Sequence, residues 1–481
     1  MDNEAMRIHI AAVTISLAAL IALAGCTGGG TRPSASVAPS SPATPPAAST
    51  AASTGPSSVP IASAVAEWPS YHADQSRTGS VAGPSPQSAT QLWTANLGAA
   101  VYGQPVIMGD RVFVGTQGND VVALDRTTGA VAWRYSLGAP LTDVKNKAGC
   151  GNVDPLGITS TMAIDPARGE VFAVGEVADA KAVHHQLVGL DAATGAVMLT
   201  EKVDPPLPPG EQAIHLLQRA GLVLANGRVY IGFGGNNGDC GVYHGWLVSA
   251  SQTVVGDIVS FNATPDGQGG AIWLSGGAPA IDSNGNVYVA TGNANPFPSG
   301  EDPLKYTESV LKLSPDLKLL ASFKDTAAGG DKDLATGNPV LLPNGQVFVV
   351  GKTNVGYLLN AADLSKVAAI TGVCTGNPDG GPAYDASAGR LYVACVRGGI
   401  QVIDLASRAV VSRLAGANSA PIVVGGTVWA ATYPTGGLAE FDASGHLVQS
   451  LHTGALPHFA SPSFAAGTLF LGTMTGVTAF G

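Results

Sequence analysis

The chain has 481 residues, of which only 12% are charged, with 24 Lys plus Arg against 34 Asp plus Glu for a formal charge of −10. It has no basic run, so it lacks the cationic footprint that a phosphate backbone requires, and a nucleic-acid partner is excluded. The 63 Gly, 32 Pro and 45% hydrophobic residues favour many short strands joined by turns over long helices.

Residues 1–26 read as an export signal. Ile8 to Leu23 is largely apolar, but it is too short and wrongly flanked for a membrane span. Arg7 is the only basic residue ahead of it, and Asp2 and Glu4 sit awkwardly there, so Met6 is the expected start. Leu23-Ala24-Gly25-Cys26 resembles the bacterial lipobox. That resemblance implies cleavage before Cys26, acylation of its thiol and an extracytoplasmic protein anchored to the bacterial cell membrane. Residues 27–66 are Ser, Pro, Ala, Thr and Gly with almost no large apolar side chain, a composition that cannot offset the entropy of ordering. They are expected to form a disordered tether with its ends roughly 35 Å apart.

The globular part is residues 67–481. Cys150, Cys240, Cys374 and Cys395 form an even set that suggests two disulfides in an exported protein. Sequence leaves three connectivities open; the expected one is Cys150–Cys240 with Cys374–Cys395. No CxxCH, HExxH, GxSxG or P-loop motif occurs.

A Gly-containing turn followed by an alternating strand appears eight times. Arg111-Val-Phe-Val-Gly, Arg228-Val-Tyr-Ile-Gly and Thr468-Leu-Phe-Leu-Gly are examples. The central aromatics, from Phe113 to Phe470, fall 37 to 60 residues apart. A second strand then ends in an Asp turn, most fully in Leu124-Asp125-Arg-Thr-Thr-Gly129 with Trp133 beyond it. Units of about four antiparallel strands cannot bury both faces alone, and stacking them radially gives a propeller. Leu92-Trp93 with Leu97-Gly98 echoes the end of unit one, whereas the last unit stops early at Gly481. Residues 91–98 are therefore expected to supply the outer strand of the last blade. The fold expected is an all-β, eight-bladed propeller of four-stranded blades, acting as a monomer.

Leu124-Asp125, Thr128-Gly129 and Trp133, with the opening Trp68-Pro69-Ser-Tyr71 and Arg77-Thr78-Gly79, resemble the PQQ-repeat propellers. That superfamily includes the quinoprotein alcohol dehydrogenases and cofactor-free scaffolds such as the outer-membrane assembly lipoproteins. The resemblance to the dehydrogenases extends to particular loops. Thr291-Gly292-Asn293 with Pro296-Phe297 is similar to the segment whose Asn ligates calcium, and Asp239 to Gly245 is similar to the segment supplying a carboxylate ligand. Asp331-Lys332-Asp333 resembles the segment whose last Asp takes the alcohol proton. Trp273 matches the tryptophan that stacks on PQQ, Lys352 the cation beside the quinone, and Cys150-Gly151 the segment with a vicinal disulfide. The resemblance thus implies Asp239, Asn293 and Asp331 as Ca²⁺ ligands, Trp273 and Cys150 against PQQ, and Asp333 and Lys352 in catalysis. Oxygen donors suit a hard cation, and a carboxylate suits a general base.

The chain also departs from the pattern. Asp239 is one methylene shorter than the family's Glu, and a single Cys150 stands where two adjacent cysteines do. Pro155-Leu156 replaces the Arg that follows, and no tryptophan precedes Asp333. His184-His185 and His244 lack regular ligand spacing and read as exposed loop residues.

Two functions follow. One is a PQQ- and Ca²⁺-dependent dehydrogenase oxidising an alcohol, sugar or polyol. The other is a cofactor-free propeller that binds an extracytoplasmic protein or a glycan. In either case the anchor is testable: Cys26→Ser should move the protein from the membrane fraction to the soluble extracytoplasmic fraction. A wild-type protein already soluble would refute the lipobox reading.

Overall fold

Eight antiparallel sheets follow one another along the chain, each with its first strand innermost and its fourth on the outer rim. The computed structural model describes residues 67–179, 182–326 and 329–481; the export segment, Cys26 and the tether lie outside them. Blade one shows the plan, with Val106–Met108, Arg111–Gly115, Asp120–Asp125 and Val131–Ser136 in order. Among the described residues the single α-helix is one turn, Val144–Lys147.

Burial explains the strand sequences. The second strand of each blade is packed on both faces, so Val112, Phe113 and Val114 are all buried. Phe172, Tyr230, Tyr288, Phe348, Trp429 and Phe470 occupy the same position and are fully buried between blades. Outer strands meet solvent and alternate; in Val131–Ser136, Ala132, Arg134 and Ser136 are exposed while Trp133 and Tyr135 are half-buried.

The Asp turns make the contacts between the first blades. Asp125 Oδ1 accepts Thr127 N–H at 3.0 Å and Thr128 N–H at 2.8 Å, which holds Gly129 at φ 71°. A Cβ on Gly129 would lie 2.5 Å from the Trp93 ring, so the turn is a flat seat for that indole. Trp93 Nε1–H donates to the Arg126 carbonyl at 3.0 Å. Trp133 repeats this one blade on, seated over Gly195 and donating to the Ala192 carbonyl at 3.0 Å.

The ring closes as the sequence implies. Gln91–Asn96 pairs antiparallel with Gly476–Phe480 and becomes the outer strand of blade eight.

A feature the repeat does not announce fills the axis. Residues 67–81 wind past the inner edges of the blades. Glu67–Trp68 pairs with blade one, and Ser80–Val81 runs parallel to Ile422–Val424 of blade seven. Between them, inner-strand N–H groups donate to this segment. Ile164 reaches the Pro69 carbonyl at 2.8 Å, Ile281 that of Gln75 at 2.8 Å, Leu341 that of Ser76 at 3.0 Å and Tyr384 that of Thr78 at 2.7 Å. Arg77 is fully buried here, donating to the carbonyls of Pro279 at 2.8 Å and Tyr71 at 2.7 Å and to Ser70 Oγ at 2.9 Å.

Both sulfur pairs are joined, Cys150–Cys240 and Cys374–Cys395. Deleting Gln91–Gly98 should lower the melting temperature sharply. Trp93→Ala alone should cost about 3–5 kcal/mol by loss of a seated indole. Denaturant unfolding checks both, and unchanged stability of the deletion would refute the closure.

Candidate functional site

In a four-stranded antiparallel blade, the loop after the second strand and the return loop to the next blade open on the same face. The sequence-predicted residues sit on those two kinds of loop. Asp239, Asn293 and Lys352 follow second strands, while Trp273 and Asp333 lie on returns into blades four and five. They therefore share one axial mouth.

Asp333 is the centre of this group. It is buried; its N–H donates to Asn293 Oδ1 at 2.7 Å, and its Oδ2 accepts Trp273 Nε1–H at 3.0 Å. Lys352 Nζ stands 3.6 Å from the same oxygen. The other oxygen, Oδ1, is buried without a hydrogen-bond partner. It lies so close to Gly292 that a Cβ there would be 2.5 Å away, which is why this position carries glycine. Burial pushes the carboxyl up to about 6, against the pull of Lys352, and Asp331 and Asp239 add to the rise.

The remaining predicted residues take different parts. Asp239 sits at φ 52°, accepts Tyr243 O–H at 2.6 Å and is pushed up by burial, with Tyr243 and Lys352 opposing. Its carbonyl accepts Asn295 Nδ2–H at 3.0 Å, tying two loops together. Asp331 has a side chain more than half exposed and pairs with Lys352 Nζ at 2.5 Å. Burial opposes the Lys352 ammonium, but Asp333 and Asp331 outweigh it and its pKa is raised. Cys150 bonds to Cys240, next to Asp239, so the disulfide fixes the loop that carries that carboxylate.

Two expectations are corrected. His185 and His244 are buried, not exposed, because each ring is held by a carboxylate within the blade edge. His185 Nδ1 is 2.8 Å from Asp204 Oδ1, and His244 Nδ1 is 2.9 Å from Glu211 Oε2.

With this geometry in view, the comparisons with known proteins agree on architecture. Residues 77–295 match the PQQ-repeat family of the outer membrane protein assembly factor BamB. The chain has a β-propeller fold, and its residues 77–295 are similar to that PQQ-repeat family. It is 26% identical over 298 residues to the quinohemoprotein alcohol dehydrogenase ADH IIB of Pseudomonas putida, covering 54% of this chain and 41% of that protein. The propeller thus spans about two fifths of the length of that curated relative. In fold it resembles the quinohemoprotein alcohol dehydrogenase of Comamonas testosteroni, with a TM-score of 0.67 at 16% identity over 86% of this chain and 80% of the other. A europium-containing methanol dehydrogenase gives 0.67 at 14% identity, covering 86% and 90%. BamB of Moraxella catarrhalis gives 0.54 at 13% identity, covering 82% and 99%.

Sequence reading missed Glu308, which no local motif marks. It is buried beneath Asp333, its Oε2 accepts Leu334 N–H at 2.7 Å, and its Oε1 has no hydrogen-bond partner. Burial, then Asp333, pushes it up to about 8. A carboxyl raised on folding contributes stability that is full below its unfolded pKa and is lost as pH rises through the folded value. Wild type should therefore lose thermal stability between about pH 5 and about pH 9, and Glu308→Gln should lose less. Parallel melting curves for the two proteins would contradict this account.

Proposed function

We propose that the axial mouth is a quinoprotein-type oxidation site for the hydroxyl of an alcohol, sugar or polyol, with Asp333 as proton acceptor. One observation carries the reading. Asp333 is buried at the mouth with one oxygen held by Trp273 and the other left without a partner. A buried acceptor with nothing to accept costs free energy, and it persists where a ligand completes it.

The donor chemistry fits a hard cation beside it. Asp239 and Asn293 offer oxygen, and the carboxylates at the mouth are pushed up by burial and by each other. Among the described residues no three Asp, Glu, His or Cys side chains close into a metal cage. Part of a six- to eight-oxygen Ca²⁺ shell would therefore come from a bound molecule. PQQ, when bound, supplies the two-electron acceptor. Trp273 would carry its ring, and the Cys150–Cys240 disulfide would brace the Asp239 loop. Lys352, 3.6 Å from Asp333, keeps a positive charge next to the base and steadies negative charge that develops there. Asn293 fixes the Asp333 backbone, so the carboxylate meets an incoming hydroxyl in one orientation. A pKa near 6 leaves the group ionised at neutral pH yet basic enough to take a proton. Acylated Cys26 and its tether would hold this body outside the cell membrane.

The second reading is a cofactor-free scaffold that binds an extracytoplasmic protein or a glycan. The match of residues 77–295 to the BamB family supports it.

Adding PQQ and Ca²⁺ to the purified protein separates the two readings. The first expects a bound-quinone absorbance and a thermal shift, about 2.7 kcal/mol of added stability at 100 times Kd. Asp333→Asn should keep that shift and lose dye-coupled oxidation by roughly 10²-fold or more, while Asn293→Ala should weaken the Ca²⁺ dependence. No absorbance and no shift would leave the scaffold reading standing.

A further inference from the structure

Across Trp273 from Asp333, the same mouth holds a carboxylate and an imidazole with no part in the chemistry above. Asp379, on the return loop into blade six, is fully buried. Among the described residues its carboxylate has one close polar side-chain partner, His458 Nε2 at 3.1 Å from Oδ1. A buried carboxylate so sparsely partnered is costly unless its one neighbour is held firmly.

His458 is held firmly. Its ring stacks on Tyr433 at 4.5 Å and 11° and on Phe459 at 3.8 Å and 10°. Its carbonyl accepts Arg219 Nη2–H at 3.1 Å. Arg219 is buried too, donates to the Thr159 carbonyl at 3.2 Å and lies 5.5 Å from the Phe459 ring centroid. Phe459 itself sits at φ 66°, a left-handed conformation that a bulky residue adopts only where its surroundings impose it.

The ring therefore has two unlike edges. Nε2 is sealed against Asp379, whereas the side chain as a whole is 34% exposed, so the open edge carries Nδ1. A proton on Nε2 would meet the Asp379 carboxylate 3.1 Å away, and that tautomer leaves the Nδ1 lone pair toward the mouth. A ligand there has to bring a hydrogen-bond donor. A carboxylate has none and would meet Asp379. An ammonium would be set against the Arg219 guanidinium, which bonds the His458 carbonyl. A hydroxyl satisfies Nδ1 without either conflict, and the rings of Tyr433 and Phe459 offer apolar edges to its carbon skeleton.

We propose that His458, oriented by Asp379, is a second hydroxyl-binding subsite, which makes the preferred ligand a polyol or sugar over a simple alcohol. Phe459 meets Trp273 edge-on at 5.6 Å and 69°, so His458 and Asp333 lie along one continuous wall. A polyol has further hydroxyls and a carbon skeleton to lay along that wall, which a simple alcohol lacks. This rests on the axial mouth being the substrate-facing surface, as in the reading above.

Carbethoxylation of the full chain by diethyl pyrocarbonate, resolved by peptide mass spectrometry, tests the subsite without turnover, PQQ or Ca²⁺. His458 should react at least about tenfold faster than exposed His452, as an oriented imidazole with a free lone pair does. Ribitol should slow His458 and not His452, while propan-1-ol at equal molarity should slow neither. Asp379→Asn should bring His458 down to the His452 rate. The subsite is overturned if wild-type His458 reacts no faster than His452, if ribitol and propan-1-ol protect equally, or if a folded Asp379→Asn protein reacts like wild type. The ribitol comparison needs no variant, so it stands even where Asp379→Asn does not fold. Protection by ribitol without any quinone binding would keep the subsite and remove the oxidation reading.

Discussion

The inner edges of the blades set the terms for everything else in this molecule. Eight sheets arranged about an axis turn their first strands inward, and each leaves a row of unpaired backbone groups there. Residues 67–81 meet that demand by presenting carbonyls to Ile164, Ile281, Leu341, Tyr384 and Val423 in turn. One short segment thereby ties blades that are hundreds of residues apart in the chain. Its own irregular backbone is satisfied by Arg77, whose guanidinium gathers the carbonyls of Tyr71 and Pro279. The buried charge is tolerable because its neighbours are oriented acceptors.

The same segment shapes the functional face. Tyr71 reaches toward blade six, where its hydroxyl accepts Gly381 N–H at 3.1 Å, two residues from Asp379. The mouth thus has a floor made by the N-terminal segment and walls made by the return loops of the blades. Within it, acidic groups sit close together and cations are few. Lys352 serves both Asp331 and Asp333, and Arg219 spends its donors on backbone carbonyls. The outcome is a surface with acceptors in excess at its Asp333 end, suited there to a metal cation, and suited along its length to a hydroxylated ligand.

Strain is concentrated at this face as well. Leu274 and Ser275, directly after Trp273, take φ values of 51° and 47°, and Phe459 takes 66°. Bulky or branched side chains avoid that region unless packing over-determines it. All three lie on return loops, where the chain must turn from an outer strand to the next inner one. The indole of Trp273 and the ring of Phe459 are aimed across the mouth as a result.

What the sequence by itself determined is the blade and the ring. Strand alternation, hairpin glycines and the Asp125 and Asp191 turns act over a few residues, so they are legible in a linear reading. The echo of Trp93 and Trp133 carried that reading as far as closure, because both indoles answer the same local seat, Gly129 and Gly195. The family-like loops at Asn293 and Asp333 were legible as motifs, but their meeting was not. Only the tertiary structure decided that Asp331 turns to Lys352, that His185 and His244 are buried, and that Glu308 lies under Asp333. It alone joined Arg219 to His458, 239 residues apart, and set Asp379 against the same ring. The Arg219, Asp379 and His458 contacts lie on return loops with no period and no shared motif. Their partners are chosen by the radius and rotation of the ring, which bring equivalent loops of distant blades to one axis.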